Sequence, residues 1–237
     1  MSIILAIDAG HGGKDPGALD NGIKEKDIVL DVAKRALNYL KEHYPEIDPR
    51  LTRDSDKFVE LGDRTDLANG WKADAFVSIH VNGASAKSAN GYESYIYLTD
   101  DENSKSYALQ KQLDERLALL WMHNNRKNRG SKKANYHVLR KFKGASVLVE
   151  LGFITNSKDA ELLKYSGFIQ ENAECIGEAI AEYFGLKKDK TVCKDNKLHR
   201  VIVEGKQLGA YNEISNVLQQ VEQSLKSGKS KIEIKST

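Results

Sequence analysis

Short apolar runs alternate with longer amphipathic segments over the first three quarters of the chain, and this alternation limits the possible folds. The apolar runs that we predict to be strands are 3–8, 73–81, 91–99 and 145–153. The segments with apolar residues at helical spacing, which we predict to be helices, are 24–44, 59–72, 103–123, 156–165 and 167–185. Strands that alternate with helices typically form a parallel sheet covered by helices. The sequence therefore predicts an α/β domain with a largely parallel central sheet over residues 1–186.

The pattern changes after residue 186. Residues 187–196 are rich in charge and are predicted to be a linker. Residues 197–237 contain two alternating runs around Glu204-Gly205-Lys206, which is typical of a hairpin, then an amphipathic helix and a last strand. This predicts a small ββαβ unit of about 40 residues, near the lower limit for independent folding. We expect it to pack on the first domain or on a second copy of itself, as in a homodimer.

Charge is unevenly divided between these two parts. Residues 187–237 hold 11 Lys and Arg against 6 Asp and Glu, a net of +5, whereas residues 1–186 hold 25 against 28. A basic module is suited to an anionic polymer, and a solvated lysine-rich tail is the alternative. The slightly acidic first part argues against a nucleic-acid partner. No apolar stretch approaches the roughly 20 residues that a membrane span requires, so we expect no membrane insertion.

The first residues and the cysteines bear on the compartment. The segment MSIILAIDAG has a short apolar run without a basic region, so we expect no signal peptide and synthesis in the cytoplasm. Cys175 and Cys193 do not form a CxxC pair. Two isolated thiols fit a reducing compartment better than a disulfide framework.

Ionisable side chains follow or end three of the predicted strands. His11 follows the first strand in a glycine-rich loop, His80 closes the run DAFVSIH, and Glu150 lies near the end of VLVEL. Ligands bind at the carboxyl ends of strands in open α/β sheets. A catalytic zinc ion commonly has two histidine ligands and one carboxylate ligand. Besides His11 and His80, we expect the third ligand to be Glu25, or else Asp15 or Asp20 from the loop. The spacing alone also allows structural roles, in which His11 caps a loop and His80 is a core-edge residue.

Six segments occur in order along residues 1–185. They are IDAGHGGKDPGA, KEKDIVLDVAKRAL, LTRDSD, DRTDLANGWKADAFVSIHVN, NRGSKKANYHVLR and VLVELGFITNSKD. Together they resemble the zinc-dependent N-acetylmuramoyl-L-alanine amidases of the Amidase_3 family of cell-wall hydrolases. The resemblance implies a six-stranded sheet flanked by helices. It also implies hydrolysis of the amide between N-acetylmuramic acid and L-alanine in peptidoglycan.

The resemblance also assigns roles to residues. It implies that His11, Glu25 and His80 bind Zn²⁺ and that Glu150 is the catalytic carboxylate. We expect Asp8 to orient an imidazole, with a strand-end cap as the alternative. The residues that we expect to bind substrate are Arg64, Asn82, Arg129 and Lys132. Of these, Arg129 and Lys132 are expected to meet carboxylates of the stem peptide or of meso-diaminopimelate, with ordinary surface charge as the alternative.

The C-terminal segments RVIVEGKQLGAY and KIEI resemble short modules of some phage endolysins that act on Bacillus-type walls. This implies binding to an anionic wall polymer such as teichoic acid, with a packing appendage or a dimerisation unit as alternatives. We expect a phage or prophage endolysin that reaches the wall after holin-type release. A sporulation autolysin acting at mother-cell lysis is the close alternative. A zinc peptidase cutting within the stem peptide and a non-catalytic wall-binding protein are the others.

Overall fold

A computed structural model describes residues 2–188, 199–211 and 214–236 of the chain. The chain divides into two compact units, Met1–Asp189 and Lys190–Thr237. Most of the predicted linker 187–196 lies outside the described residues, and so does Cys193. Cys175 is a half-buried free thiol. The catalytic role of the first part and the wall-binding role of the second part stay predictions.

A six-stranded sheet forms the centre of the first unit. Its strands are β1 (Ile3–Ala9), β4 (Ile47–Leu51), β5 (Ala75–Asn82), β6 (Tyr92–Tyr97), β7 (Asn128–Ala134) and β8 (Ala145–Phe153), and a separate two-stranded ribbon is made of β2 (Leu19–Asp20) and β3 (Ile23–Lys24). The strand order is β4–β1–β5–β8–β6–β7. All neighbours in it are parallel except β6 and β8, which are antiparallel. The predicted mostly parallel sheet is confirmed.

Helices cover both faces of this sheet. They are α1 (Glu25–His43), α2 (Leu61–Gly70), α3 (Lys105–His123), α4 (His137–Lys141), α5 (Ser157–Lys164) and α6 (Ser166–Tyr183). Helices α1, α3 and α6 bury their apolar stripes against one face in the main core, where Trp121 is fully buried. Helices α2 and α4 cover the other face around Phe76 and Phe142. None of the helices that the structure describes is long and apolar enough to span a bilayer.

Two strands of the central sheet, both strands of the small ribbon and one short helix of the first unit were not predicted. Strand β4 contains Pro49, which lacks a backbone donor, and strand β7, with the sequence NRGSKKA, has no large apolar residue. Both are edge strands of the sheet. An edge strand pairs on one side only, so it tolerates proline and polar residues that a central strand would not. Helix α4 has only five residues, which is too short for a periodic pattern to appear.

The second unit has the predicted ββαβ order. Its elements are β9 (His199–Val203), β10 (Lys206–Tyr211), α7 (Ile214–Lys226) and β11 (Ile232–Ser236). The strands form an antiparallel sheet with β9 in the middle. Glu204 and Gly205, at the hairpin turn, have φ of 51° and 82°. Positive φ at both central residues is what a two-residue type I′ hairpin requires. Val201, Val203 and Val217 form a small core.

Candidate metal centre and active-site cleft

The loop after β1 holds His11 in an unusual backbone conformation. Its φ is 60°, which non-glycine residues rarely adopt, so the surrounding contacts must hold it. Two buried arginines supply these contacts. Arg53 Nη2 donates to the carbonyl oxygen of Gly10 at 2.8 Å, and Arg64 Nη2 donates to that of His11 at 2.7 Å. The loop is therefore glycine-rich but rigidly tethered, and it presents the imidazole at the end of the sheet.

Three side chains from different elements meet at this edge: His11 from the loop, Glu25 from the first turn of α1, and His80 from β5. Glu25 Oε1 lies 3.0 Å from His11 Nε2 and 3.0 Å from His80 Nδ1. One ligand atom of each residue lies within 4.8 Å of the others. Two imidazole nitrogens and a carboxylate oxygen are a donor set that catalytic zinc accepts. Of the five side chains considered as ligands, the structure brings these three together, and they could hold a divalent ion among them.

Gly10 and Gly17 have no side chain, and the candidate ligands occupy the space where one would lie. A Cβ added to Gly10 would lie 2.4 Å from Cε1 of His80. A Cβ added to Gly17 would lie 2.5 Å from Oε2 of Glu25 and 2.7 Å from Cδ2 of His11, and Gly17 has φ of 65°. Real Cβ atoms do not approach other atoms so closely, so both positions require glycine. The close packing of the ligands thus accounts for part of the glycine content of this loop.

Charge and hydrogen bonding favour the ionised forms of Glu25 and His11. Burial raises the pKa of Glu25, but the hydrogen bonds and charges of the two histidines outweigh it and keep that pKa far below its usual value. Burial lowers the pKa of His11, but Glu25 and Asp15 outweigh it and raise the pKa. Asp15 Oδ2 lies 2.8 Å from His11 Nδ1, which leaves Nε2 directed at Glu25. Asp15 therefore orients the imidazole, as partners of metal-bound histidines commonly do.

Asp8 is linked to the loop of His11 through Arg64. It is buried, and its oxygens accept hydrogen bonds from Thr52 Oγ1 at 2.6 Å, Ser78 Oγ at 2.7 Å and Arg64 Nη1 at 2.8 Å. Burial raises the pKa of Asp8, but the Arg64 charge and these hydrogen bonds outweigh it and lower the pKa. That Asp8 orients an imidazole stays a prediction, and the link that the structure shows between Asp8 and His11 runs through Arg64.

Arg64 directs its guanidinium at groups within the protein. Its side chain is 3% exposed. Its guanidinium donates to Asp8, to the carbonyl oxygens of Ala9 and His11, and to that of Val59. With its donors directed at internal acceptors, Arg64 holds the histidine loop in place. That Arg64 binds substrate stays a prediction.

Glu150 lies in β8 beside the metal cluster. It pairs in register with His80 on β5 and with Glu93 on β6, so these side chains share one face of the sheet. Its Oε2 is buried and has no hydrogen-bond partner among the described residues. Burial and the charges of Glu25 and Glu93 raise the pKa of Glu150 well above its usual value, against the opposing charge of Lys132. An unpaired buried carboxyl oxygen points to a partner from outside the chain, such as an ion, a water or a substrate.

The other predicted substrate residues meet at Glu93, which the sequence analysis did not single out. Glu93 Oε2 accepts from Arg129 Nε and Lys132 Nζ, both at 2.6 Å, and Oε1 accepts from Asn82 Nδ2 at 2.8 Å. Glu93 is buried, whereas the Arg129 and Lys132 side chains are 31% and 34% exposed. A sequence signal for Glu93 did exist, because an acidic residue in the otherwise buried strand YESYIY requires a partner.

A single cleft exposes the reactive groups. His11, His80 and Glu150 line it together with Phe58 and Tyr136 from the surrounding loops. Acidic, imidazole and apolar groups thus converge in one concave site, as is usual for a small-molecule or peptide-binding active site.

Comparison with known proteins agrees with this arrangement. A profile of the N-acetylmuramoyl-L-alanine amidase family matches residues 5–182. The endolysin of Bacillus phage SPP1 is 44% identical over 188 residues, which are 79% of this chain and 68% of that protein. The sporulation-specific N-acetylmuramoyl-L-alanine amidase of Bacillus subtilis (strain 168) is 40% identical over 184 residues, which are 78% of this chain and 69% of that protein.

Solved structures agree as well. The catalytic domain of the N-acetylmuramoyl-L-alanine amidase CwlV from Bacillus (Paenibacillus) polymyxa var. colistinus superposes with a TM-score of 0.71 at 32% identity, covering 78% of this chain and 99% of that one. The amidase AmiC2 of Nostoc punctiforme has a TM-score of 0.70 at 38% identity, with coverages of 77% and 97%. The family match ends at residue 182, before the second unit begins.

Proposed function

The chain belongs to the N-acetylmuramoyl-L-alanine amidase family, and we propose that it cleaves peptidoglycan with a zinc ion held by His11, Glu25 and His80. The bond cleaved is the amide between the lactyl group of N-acetylmuramic acid and L-alanine of the stem peptide. One observation carries this proposal: three ligand atoms lie within 4.8 Å of one another, beside a carboxyl group with an unpaired buried oxygen.

The donor set fits zinc. Catalytic zinc sites commonly use three protein ligands, with two histidines and a glutamate as one known set, and keep a position for water. When bound, the ion activates a water molecule and polarises the amide carbonyl. Asp15 holds the His11 ring through Nδ1, and Gly10 and Gly17 leave the ligands their space. The chain thus supplies the ligands, the orienting partner and the cleft.

Glu150 carries the proton in this mechanism. Its carboxyl group removes a proton from the attacking water and then delivers it to the amine nitrogen of L-alanine as the amide bond breaks. Glu150 must be a carboxylate to accept the proton from water, and it must hold that proton between the two steps. Arg129 and Lys132 are proposed to contact the stem peptide on the far side of Glu150.

Glu150→Gln tests the assignment of the proton carrier. The variant should retain zinc but lose at least about a hundredfold in hydrolysis rate, since general acid–base catalysis typically contributes that much or more. Glu161→Gln, at an exposed position on α5, is the matched control. Hydrolysis of walls by Glu150→Gln at the native rate would remove Glu150 from the mechanism.

Product analysis of digested walls separates the remaining alternatives. A free lactyl carboxylate together with a new L-alanine N-terminus, seen by mass spectrometry, supports the amidase reaction. Cleavage within the stem peptide would instead support a zinc peptidase. Binding to walls without any product would support a non-catalytic wall-binding protein.

The proposed setting is host-cell lysis by a phage or prophage. The 44% identity to an endolysin of Bacillus phage SPP1 supports it. The similarity to a sporulation-specific amidase keeps mother-cell lysis as the second candidate. The neighbouring genes distinguish them, because a holin gene favours the endolysin and sporulation genes favour the autolysin.

The second unit is proposed to bind the wall. It folds as a separate ββαβ body with its own valine core. The net of +5 over residues 187–237 suits an anionic wall polymer such as teichoic acid. Dimerisation through this unit is the alternative, and the oligomeric state in solution tests it.

A further inference from the structure

Glu93 is a buried carboxylate with an unusually complete set of partners. Its Oε1 accepts hydrogen bonds from Tyr95 Oη at 2.7 Å and Asn82 Nδ2 at 2.8 Å. Its Oε2 accepts from Arg129 Nε and Lys132 Nζ, both at 2.6 Å. Burial raises the pKa of Glu93, but the hydrogen bonds from Lys132, Tyr95 and Arg129 outweigh it and lower the pKa. Glu93 is therefore an ionised group that fixes the positions of four side chains.

The two cations remain open to solvent although Glu93 is buried. About a third of each cationic side chain is exposed, against 3% of the Glu93 side chain. The Arg129 guanidinium also lies 4.7 Å from the centre of the Phe153 ring, and Lys132 Nζ lies 5.6 Å from that of Tyr95. Two positive charges against one negative charge leave the cluster with a net of +1. An exposed site with this charge and preorganised donors is suited to one carboxylate.

The cluster of Glu93, Arg129 and Lys132 lies next to Glu150, the proposed proton carrier. Glu93 pairs in register with Glu150, and β7, which carries both cations, pairs with β6. Neighbouring strands are about 4.8 Å apart. Both cations bind the Glu93 carboxylate, and Glu93 lies on β6, one strand away from Glu150 on β8. Their charges therefore lie between one and two strand spacings, about 5–10 Å, from Glu150. An extended peptide covers that distance in two or three residues.

The direction of the substrate follows from the proposed proton transfer. Glu150 delivers its proton to the amine nitrogen of L-alanine, so this nitrogen lies on the Glu150 side of the site, away from His11. The stem peptide continues from that nitrogen and therefore extends over β6 toward β7. Its second residue is the first to reach the two cations.

We propose that Glu93 is a positioning residue that holds Arg129 and Lys132 to bind a free carboxylate on the second residue of the stem peptide. This inference rests on the proposed amidase function. The ligand is a carboxylate, and its amide would lack the charge that the pair of cations recognises. Charge-assisted hydrogen bonds are typically worth about tenfold to a hundredfold in affinity, so we expect a preference of that size for the acid over the amide.

The test uses the full chain loaded with zinc and two muramyl dipeptides that differ only in a free or amidated α-carboxyl group on the second residue. The native protein should favour the acid, mainly through a lower KM. The variant Arg129→Ala/Lys132→Ala should bring the ratio of the two kcat/KM values close to one. Glu93→Gln should lower the same ratio severalfold, and Glu93→Asp should restore part of it. Lys133→Ala, which removes a charge from an exposed position of the same strand, is the matched control.

A double-mutant comparison separates positioning from a merely structural role. If Glu93 acts through the two cations, Glu93→Gln should cause no further loss of selectivity in the Arg129→Ala/Lys132→Ala background.

Equal hydrolysis of the acid and the amide by the native protein would overturn the carboxylate site while leaving the amidase function standing. Loss of kcat on both substrates to the same extent in Glu93→Gln would overturn the positioning role. Absence of hydrolysis of either dipeptide and of whole walls would overturn both proposals. The cation variants alter partly exposed side chains and still measure the selectivity if Glu93→Gln does not fold.

Discussion

Replacing Asp15 by alanine should weaken zinc binding without removing any of the three proposed ligands. Asp15 Oδ2 lies 2.8 Å from His11 Nδ1, and this contact orients the ring so that Nε2 faces Glu25. Partners of metal-bound imidazoles are typically worth about 10- to 100-fold in metal affinity. The Asp15 side chain is 43% exposed and that of His11 is 24% exposed, so water screens the contact. We therefore expect the lower end of the range, about tenfold, which corresponds to about 1.4 kcal/mol.

The measurement is the Kd for zinc, obtained by competition with a chromophoric chelator. Asp15→Asn should fall between the native protein and Asp15→Ala, because an amide oxygen can still accept a hydrogen bond but has no charge. Asp20→Ala is the matched control, since Asp20 lies in the same segment but forms its ion pair with Lys87. If Asp15→Ala binds zinc within twofold of the native protein, or if Asp20→Ala weakens binding equally, then Asp15 does not orient His11.

Three further predictions concern stability, its pH dependence and wall binding. Asp8→Ala leaves the buried Arg64 guanidinium without its carboxylate partner. The variant should therefore have a free energy of unfolding that is lower by about 3–5 kcal/mol in urea titrations. Asp48→Ala is the control, because Asp48 belongs to a more exposed ion pair, and it should cost about 1 kcal/mol or less. Because its partners lower the pKa of Asp8 in the folded state, its contribution should be complete above about pH 4 and decline as the pH falls below that value, and Asp8→Asn should flatten this decline. A chain ending at residue 189 should keep zinc and hydrolyse muramyl dipeptides but lose retention on whole walls, and undiminished retention would assign wall binding to the first unit.

Elements with a strong apolar pattern could be predicted from the sequence. The buried runs of β1, β5 and β8 and the stripes of α1, α3 and α6 were found because burial on one side or both leaves a periodic signal. Strands β4 and β7 left no such signal, because each lies at a sheet edge and is held by pairing with a single neighbour. Their existence depends on β1 and β6 being in place, and no local pattern encodes that dependence.

The reactive residues could be proposed in part, since imidazole and carboxylate groups at strand ends are unusual enough to attract attention. Their partners could not be assigned in the same way. Asp8 and Asp15 are both acids near the first histidine, and only the backbone path decides that Asp15 meets the ring while Asp8 turns toward Thr52 and Arg64. Arg64 resembles a surface cation in the sequence, but its helix turns it inward beneath the loop.

The amino-acid sequence by itself determined the α/β class, the order of the main elements, and the residue types that can bind a metal and move a proton. The fold class, the element order and the residue types follow from local periodicity and from the chemistry of single side chains, and both can be read from the linear sequence. Only the tertiary structure decided which charged groups face each other, including the meeting of Glu93 with Arg129, Lys132 and Asn82. Hydrogen bonds and ion pairs act over about 3–4 Å, so their partners are chosen by strand order and register, which join residues far apart in the chain.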